Sequence, residues 1–230
     1  MITLITFDLD DTLWDVRPAL IKAEQAQNNW LREHYPRCIE GTDNAAMNER
    51  KRQLLKRQPD LIHHISRFRQ RFLEELLLDA GVAPKEAALA AGQAFAEFIA
   101  RRNDVELFDH AIPVLTQLQT NFRLGALTNG NADVTRTPLA RFFEFALKAE
   151  EVGAAKPEPQ LFEAALAKTH THAEHAVHVG DSHDHDIVGA HRAGMRSIWF
   201  NPTGDKSDLA DASIGCLSEL PHVLATLQGR

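Results

Sequence analysis

The chain has 230 residues, 44% of them apolar and 25% charged, enough for one large soluble domain or a domain carrying an insertion. A formal net charge of −7 excludes the overall basic character of a nucleic-acid binder, and no run of about 18 apolar residues offers a membrane span. The first residues lack the basic and apolar stretches of a secretory signal, and the two cysteines, Cys38 and Cys216, are far apart, so free thiols in a reducing cytoplasm are expected.

In chain order, Ile2 to Phe7 (ITLITF) is a short β-branched apolar run and predicts a buried strand. It leads straight into TFDLDDTLW, where Asp8, Asp10 and Asp11 crowd together. From Arg17 to about Asn103 no strand pattern is found. Amphipathic spacing predicts helices at Ala19–His34, Asn44–Arg57, Leu61–Ala80 and Pro84–Arg102, with Gly81 stopping the third and Pro84 opening the fourth. Within Arg50–Arg71 there are eight Lys or Arg and one acid, Asp60. Such a segment is either a solvated helix face or a patch that draws an anionic substrate.

The pattern then changes. A helix is predicted at His110–Gln119, with Pro113 tolerable in its first turn. Strands follow at Phe122–Leu127, ending in Thr128-Asn129-Gly130, and more weakly at Phe143–Leu147. The loop GAAKPEP carries Lys156 into a helix at Gln160–Lys168. A strand at Ala176–Val179 ends in Gly180-Asp181; a helix over Ile187–Arg192 stops at Gly194; strands at Arg196–Phe200 and, weakly, Ala212–Cys216 complete the series. Nearly all-apolar strands alternating with helices predict an α/β fold: a Rossmann-like parallel sheet with helices on both faces, plus an inserted α-helical block. The expected ranges are 1–15 with 104–230 for the α/β core and 16–103 for the helical insert.

Open parallel sheets bind ligands at the carboxyl ends of their strands. The polar clusters of this chain all fall there: Asp8 and Asp10, Thr128 and Asn129, Asp181, and the loop residue Lys156. Crowded acids need a counter-charge, and Mg²⁺ prefers oxygen ligands. Asp8 and Asp181 can coordinate such an ion, with the backbone carbonyl of Asp10 as a further oxygen. A cation, one lysine and a threonine together suit phosphate, and carboxylate nucleophiles form aspartyl-phosphates.

The arrangement resembles the haloacid dehalogenase-like (HAD) hydrolases. Four motifs carry the resemblance: DxDxT (Asp8, Asp10, Thr12), a strand-end Thr128, Lys156-Pro157 before a helix, and GD(x)₄D (Gly180, Asp181, Asp186). The helical block sits where that superfamily carries its C1 cap. The resemblance implies Asp8 as nucleophile and Asp10 as general acid and base. It implies Thr128, Asn129 and Lys156 around the phosphate, and Mg²⁺ held by Asp8, the Asp10 carbonyl, Asp181 and, through water, Asp186. Asp11 and Thr12 are expected to be scaffold. Dehalogenase members lack the second acid, so Asp10 favours phosphate esters. Phosphomutases keep both acids, but their usual start has Gly where this chain has Asp11.

The segments TFDLDDTLWDVRPAL, ALTNGNADV, FFEFALKAEEVGAAKPEPQLF and HVGDSHDHDIVGAHRAGM are similar to the YigB-type bacterial phosphatases. That similarity implies a small phosphomonoester as partner, either flavin mononucleotide (FMN) or 5-amino-6-(5-phosphoribitylamino)uracil, with another sugar phosphate or a nucleotide as the alternative. Charge, hydropathy and cysteine usage predict a cytoplasmic protein, monomer or homodimer, with no nucleic acid or membrane partner. Trp14, Trp30, Phe68 and Phe72 are candidates to stack on a ring, and Arg67, Arg69 and Arg71 to reach its polar edges. Helix-packing core is the competing role for each aromatic. A competing function follows from seven of the twelve histidines lying between His170 and His191: a non-catalytic metal-binding protein on the same scaffold, with His183 and His185 nearest the acids.

Overall fold

The computed structural model describes residues 1–40 and 43–229; residues 41, 42 and 230, which the expected cap and core ranges include, lie outside the described residues. The chain forms two compact units, Met1–Val16 with Val105–Arg230, and Arg17–Asp104.

Strand β1 (Leu4–Phe7) is buried on both faces. The two-residue β2 (Trp14–Asp15) runs directly into α1 (Val16–His34). Helix α2 (Asn44–Arg57) is capped by Asp43, whose carboxylate accepts from the Ala46 N–H at 2.7 Å. The helix expected over Leu61–Ala80 is broken: Pro59–His63 is a 3₁₀ turn, and α3 is Ile65–Asp79. Pro59 opens that tighter turn, and His64, at φ −131° and ψ +70°, leaves helical geometry and separates it from α3. Gly81, at φ +87°, ends α3, with the Val82 N–H donating back to Leu77 O at 3.0 Å. Helix α4 (Pro84–Arg102) turns Ala87, Ala90, Ala91 and Ala94 inward, and small residues there meet Leu73, Leu76 and Leu77 in one cluster.

The basic segment is largely neutralised within this unit. Arg57 pairs with Glu75 at 2.7 Å, Arg71 with Glu74 at 2.7 Å, Arg69 with Glu24 at 3.6 Å, and Arg50 with Asp79. The compensating acids lie outside the window in which the cations cluster.

In the α/β unit, β3 (Glu106–Leu107) pairs antiparallel with β2, Trp14 opposite Leu107. There follow α5 (Ala111–Leu118), β4 (Arg123–Thr128), β5 (Phe145–Lys148), α6 (Ala149–Val152), α7 (Gln160–Thr169) and β6 (Ala176–Gly180). A π turn at His183–Ile187 leads into α8 (Val188–Arg192), then β7 (Arg196–Phe200), β8 (Ala212–Ile214) and α9 (Leu220–Gln228). Six strands form one parallel sheet in the order β5-β4-β1-β6-β7-β8.

Alternation along β1 explains the two covered faces. Ile5 and Phe7 pack with Leu115 and Leu118 of α5 and Leu220 and Leu224 of α9, while Leu4 packs with Leu161 and Phe162 of α7 and Ala190 of α8. The α/β fold with helices around a parallel sheet is thus as the alternation of apolar strands and helices predicts. Among the described residues, no helix is long and apolar enough to cross a membrane.

Candidate active site

Strand β1 delivers Asp8, whose N–H donates to Val179 O at 2.9 Å and fixes it against β6. The chain then turns sharply. Leu13 N–H donates to Leu9 O at 2.9 Å, and Asp11 adopts φ +60°, a left-handed conformation that Asp tolerates better than most residues. Asp11 Oδ1 accepts from the Val16 N–H at 3.1 Å, a scaffold bond. The Thr12 hydroxyl donates to Asp181 Oδ1 and accepts from the Asp181 N–H, both at 3.0 Å. That reciprocal pair ties the β1 loop to the β6 loop. The turn brings Asp8 and Asp10 to one cavity of about 180 Å³, which Thr128, Asn129, Lys156, Asp181 and Asp186 also line. The seven residues expected around the phosphate and metal therefore converge, joined by Gly130, Ser182 and His185.

Lys156 is the cavity's electrostatic centre. Its ammonium donates to Asp8 Oδ1 at 2.6 Å, to Asp186 Oδ1 at 2.6 Å and to Leu127 O at 2.9 Å, which uses all three hydrogens. The lysine is buried. Burial opposes its charge, but Asp186 and Asp8 override that and raise its pKa. Burial alone would raise Asp186 as well; the Lys156 ammonium and the His178 hydrogen bond hold it below the ordinary carboxylate range. Asp8 has the opposite balance, and burial pushes its carboxyl well up despite Lys156.

The Asn129 amide donates to Lys156 O at 2.9 Å and accepts from the Lys156 N–H at 2.8 Å, so this side chain orients the lysine loop. The Thr128 hydroxyl accepts from the Gly130 N–H at 2.9 Å. Gly180 is demanded by close approach: a Cβ there would lie 2.3 Å from the Asp186 carboxyl carbon.

A model of the haloacid dehalogenase-like hydrolases matches residues 2–194. The chain belongs to that family. 5-Amino-6-(5-phospho-D-ribitylamino)uracil phosphatase YigB of Escherichia coli (strain K12) is 31% identical over 223 residues, covering 96% of this chain and 91% of YigB. A glyceraldehyde 3-phosphate phosphatase of Methanopyrus kandleri is 32% identical over 204 residues, 86% of this chain and 83% of its own. Among solved structures, a protein described as a 2-haloacid dehalogenase from Pseudomonas syringae pv. Tomato DC3000 superposes with a TM-score of 0.92 at 46% identity, over 98% of this chain and 99% of its own. This HAD hydrolase is a phosphoric monoester hydrolase.

HAD phosphatases generally use a divalent metal, and the residues present fit one. Asp8, Asp181 and Asp186 each offer a carboxylate oxygen, all within 4.8 Å of one another. An all-oxygen donor set suits a hard cation. Burial, helped by the charge of Asp186, pushes Asp181 up to about 6, and burial raises Asp8 too. The cluster is thus short of positive charge, and a cation among these oxygens would favour the anionic form of both. The Trp199 indole donates to Asp181 O at 2.7 Å and steadies this residue from β7.

The histidines of the HAD hydrolase disperse. His178 is enclosed within β6, His183 bonds Ser207 Oγ at 2.9 Å, and His172 stands edge-on to His175. Among the described residues, no metal-ligand group of three includes a histidine. His178 escaped the motif reading. Its Nε2 lies 3.1 Å from Asp186 Oδ1 and its Nδ1 2.8 Å from Thr6 Oγ1, so it braces Asp186 from inside the sheet. A histidine in an otherwise apolar buried strand was the available signal, because a buried ring nitrogen needs a partner.

The ring-binding candidates separate. Trp14 offers no face for stacking: it is fully enclosed in the α/β core, and its indole N–H donates to Asp10 Oδ1 at 2.9 Å. Trp30 stacks on His34 at 4.4 Å between ring centres. Phe68, Arg69 and Phe72 line one cavity of about 400 Å³ inside the helical unit, with Lys51 and Gln27. Arg67 is exposed, and Arg71 is engaged by Glu74.

Proposed function

We propose that this hydrolase is a Mg²⁺-dependent phosphatase working through an aspartyl-phosphate, with FMN or 5-amino-6-(5-phosphoribitylamino)uracil as the favoured substrates. The observation that carries the chemistry is the meeting of Asp8, Asp10 and Lys156 in one cavity. Asp8 attacks phosphorus, a bond forms between its carboxylate oxygen and phosphorus, and the bond from phosphorus to the alcohol oxygen breaks. Asp10 gives its proton to that departing oxygen. Water then attacks the aspartyl-phosphate and loses a proton to Asp10; phosphate leaves, and both acids return to their starting forms.

Mg²⁺ held by Asp8, Asp181, Asp186 and the Asp10 carbonyl would supply charge neutralisation between carboxylate and phosphate. Lys156 keeps the nucleophile and Asp186 in place, so it acts on phosphate mainly as a fixed charge. The Thr128 hydroxyl and the backbone N–H of Asn129 bind phosphoryl oxygens. Asn129 serves them by holding the lysine loop.

The helical insert of residues 16–103 acts as the cap that selects the leaving group. Support comes from its cavity, whose volume falls in the range of small-molecule sites and whose walls pair Phe68 and Phe72 with Arg69 and Gln27. The similarity to YigB across nearly the whole chain favours a ribityl phosphate bearing a flat heterocycle.

The name carried by the Pseudomonas structure favours a second reading, carbon–halogen cleavage. A departing halide needs no proton, so that reaction leaves Asp10 without a task. The deciding experiment measures phosphate release from p-nitrophenyl phosphate, FMN and a panel of about fifty metabolites (a convenient screen size), and halide release from 2-haloacids, with Asp8→Asn as control. Mg²⁺-dependent phosphate release with FMN among the best substrates is expected. Halide release without phosphate release, or tight Ni²⁺ or Zn²⁺ binding with neither, would overturn the reading.

A further inference from the structure

The contact between Trp14 and Asp10 has no place in the four motifs. A buried indole N–H requires an acceptor, and here the acceptor is a carboxylate oxygen of the acid–base residue. The donor cannot swing away. The backbones of Asp10 and Trp14 form a β-bridge, Asp11 N–H donates to Trp14 O at 2.8 Å, and Trp14 is paired across to Leu107. The Phe108 N–H closes the ribbon on Leu13 O at 3.0 Å. The indole itself is clamped in the main apolar cluster.

We propose that Trp14 is a positioning residue for proton transfer: its indole N–H fixes one oxygen of Asp10, so that the transferable proton is presented from the other oxygen in a single orientation. An oxygen that already accepts a hydrogen bond is the poorer seat for a proton, which directs the proton to its neighbour. The inference rests on the phosphatase reading and on Asp10 as its acid. It has a consequence that simple core filling does not. Help from a well-aimed acid grows with the basicity of the leaving oxygen. An alkoxide depends on it heavily, whereas p-nitrophenolate departs readily without it.

The test compares kcat/KM of the full-length wild type and Trp14→Phe on p-nitrophenyl phosphate and on an alkyl phosphate that the wild type turns over. The value for the alkyl ester should fall on the order of tenfold to hundredfold, within the span of general acid catalysis, and that for the aryl ester by less than about threefold. Equal losses on both would assign Trp14 to packing alone and overturn the inference. If circular dichroism shows that Trp14→Phe does not fold, Trp14 is replaced by 3-benzothienylalanine, which keeps the bicyclic shape and carries sulfur where the N–H was; the same two ratios decide. No phosphate release from either ester by the wild type would instead overturn the phosphatase reading, so the two failures are distinct.

Discussion

Lys156 shows how much one side chain can be asked to do. With two carboxylates at 2.6 Å and a carbonyl at 2.9 Å, it is the cation that makes the buried acids tolerable. Lys156→Met leaves them uncompensated, and about 3–5 kcal/mol of stability should be lost, measurable by urea unfolding. The pH dependence carries a sign. Asp186 is held below its ordinary range, so its contribution is present at neutral pH and is lost as pH falls below about 4 towards its own lower value. Acid unfolding of the wild type should follow that course, and Lys156→Met should flatten it. Asp8→Asn should abolish turnover while circular dichroism stays native. That the seven expected residues would share one cavity was legible in the sequence because each sits at a strand end or in a loop beside one, and the sheet brings those ends together. What Trp14 and His178 contact was not legible. Spacing places a residue on an element, but it does not say which buried donor finds which acceptor.

At the scale of elements, strands were read best. Each of the six strands of the parallel sheet overlaps an expected one, since a doubly covered strand leaves a plain apolar run. Two-residue strands leave no such trace, so β2 and β3 were missed, as were the four-residue α6 and the terminal α9. The Leu61–Ala80 expectation failed because apolar spacing continues through the 3₁₀ turn and hides its joint at His64. Gly180 marks where an element depends on a missing side chain. Gly180→Ala places a methyl group against Asp186, so metal affinity and turnover should drop together, by at least about tenfold in line with losses at residues that support metal ligands. Calorimetric Mg²⁺ titration of the variant checks this; unchanged affinity would show that Asp186 has room to yield.

For the whole molecule, the donor set predicts linkage between metal and fold. Saturating Mg²⁺ should raise the melting temperature of the wild type, and the same addition to Asp181→Asn should raise it far less. Chelation should halt turnover, with Mg²⁺ restoring it. The pairing of β2 with β3 bears on a larger rearrangement. Trp14 and Asp15 lie across from Leu107 and Glu106, so the chain leaves the α/β unit and re-enters it on adjacent strands, about 5 Å apart as paired strands are. The ribbon therefore works as a socket. Whatever is spliced between Val16 and Val105 meets a fixed pair of endpoints, and its length and sequence can drift without straining the catalytic loops. On the proposed reading, a chimaera carrying a foreign helical insert at those two points should keep Asp8-dependent phosphate release and change which esters it accepts, which makes this junction the natural place to re-engineer the enzyme.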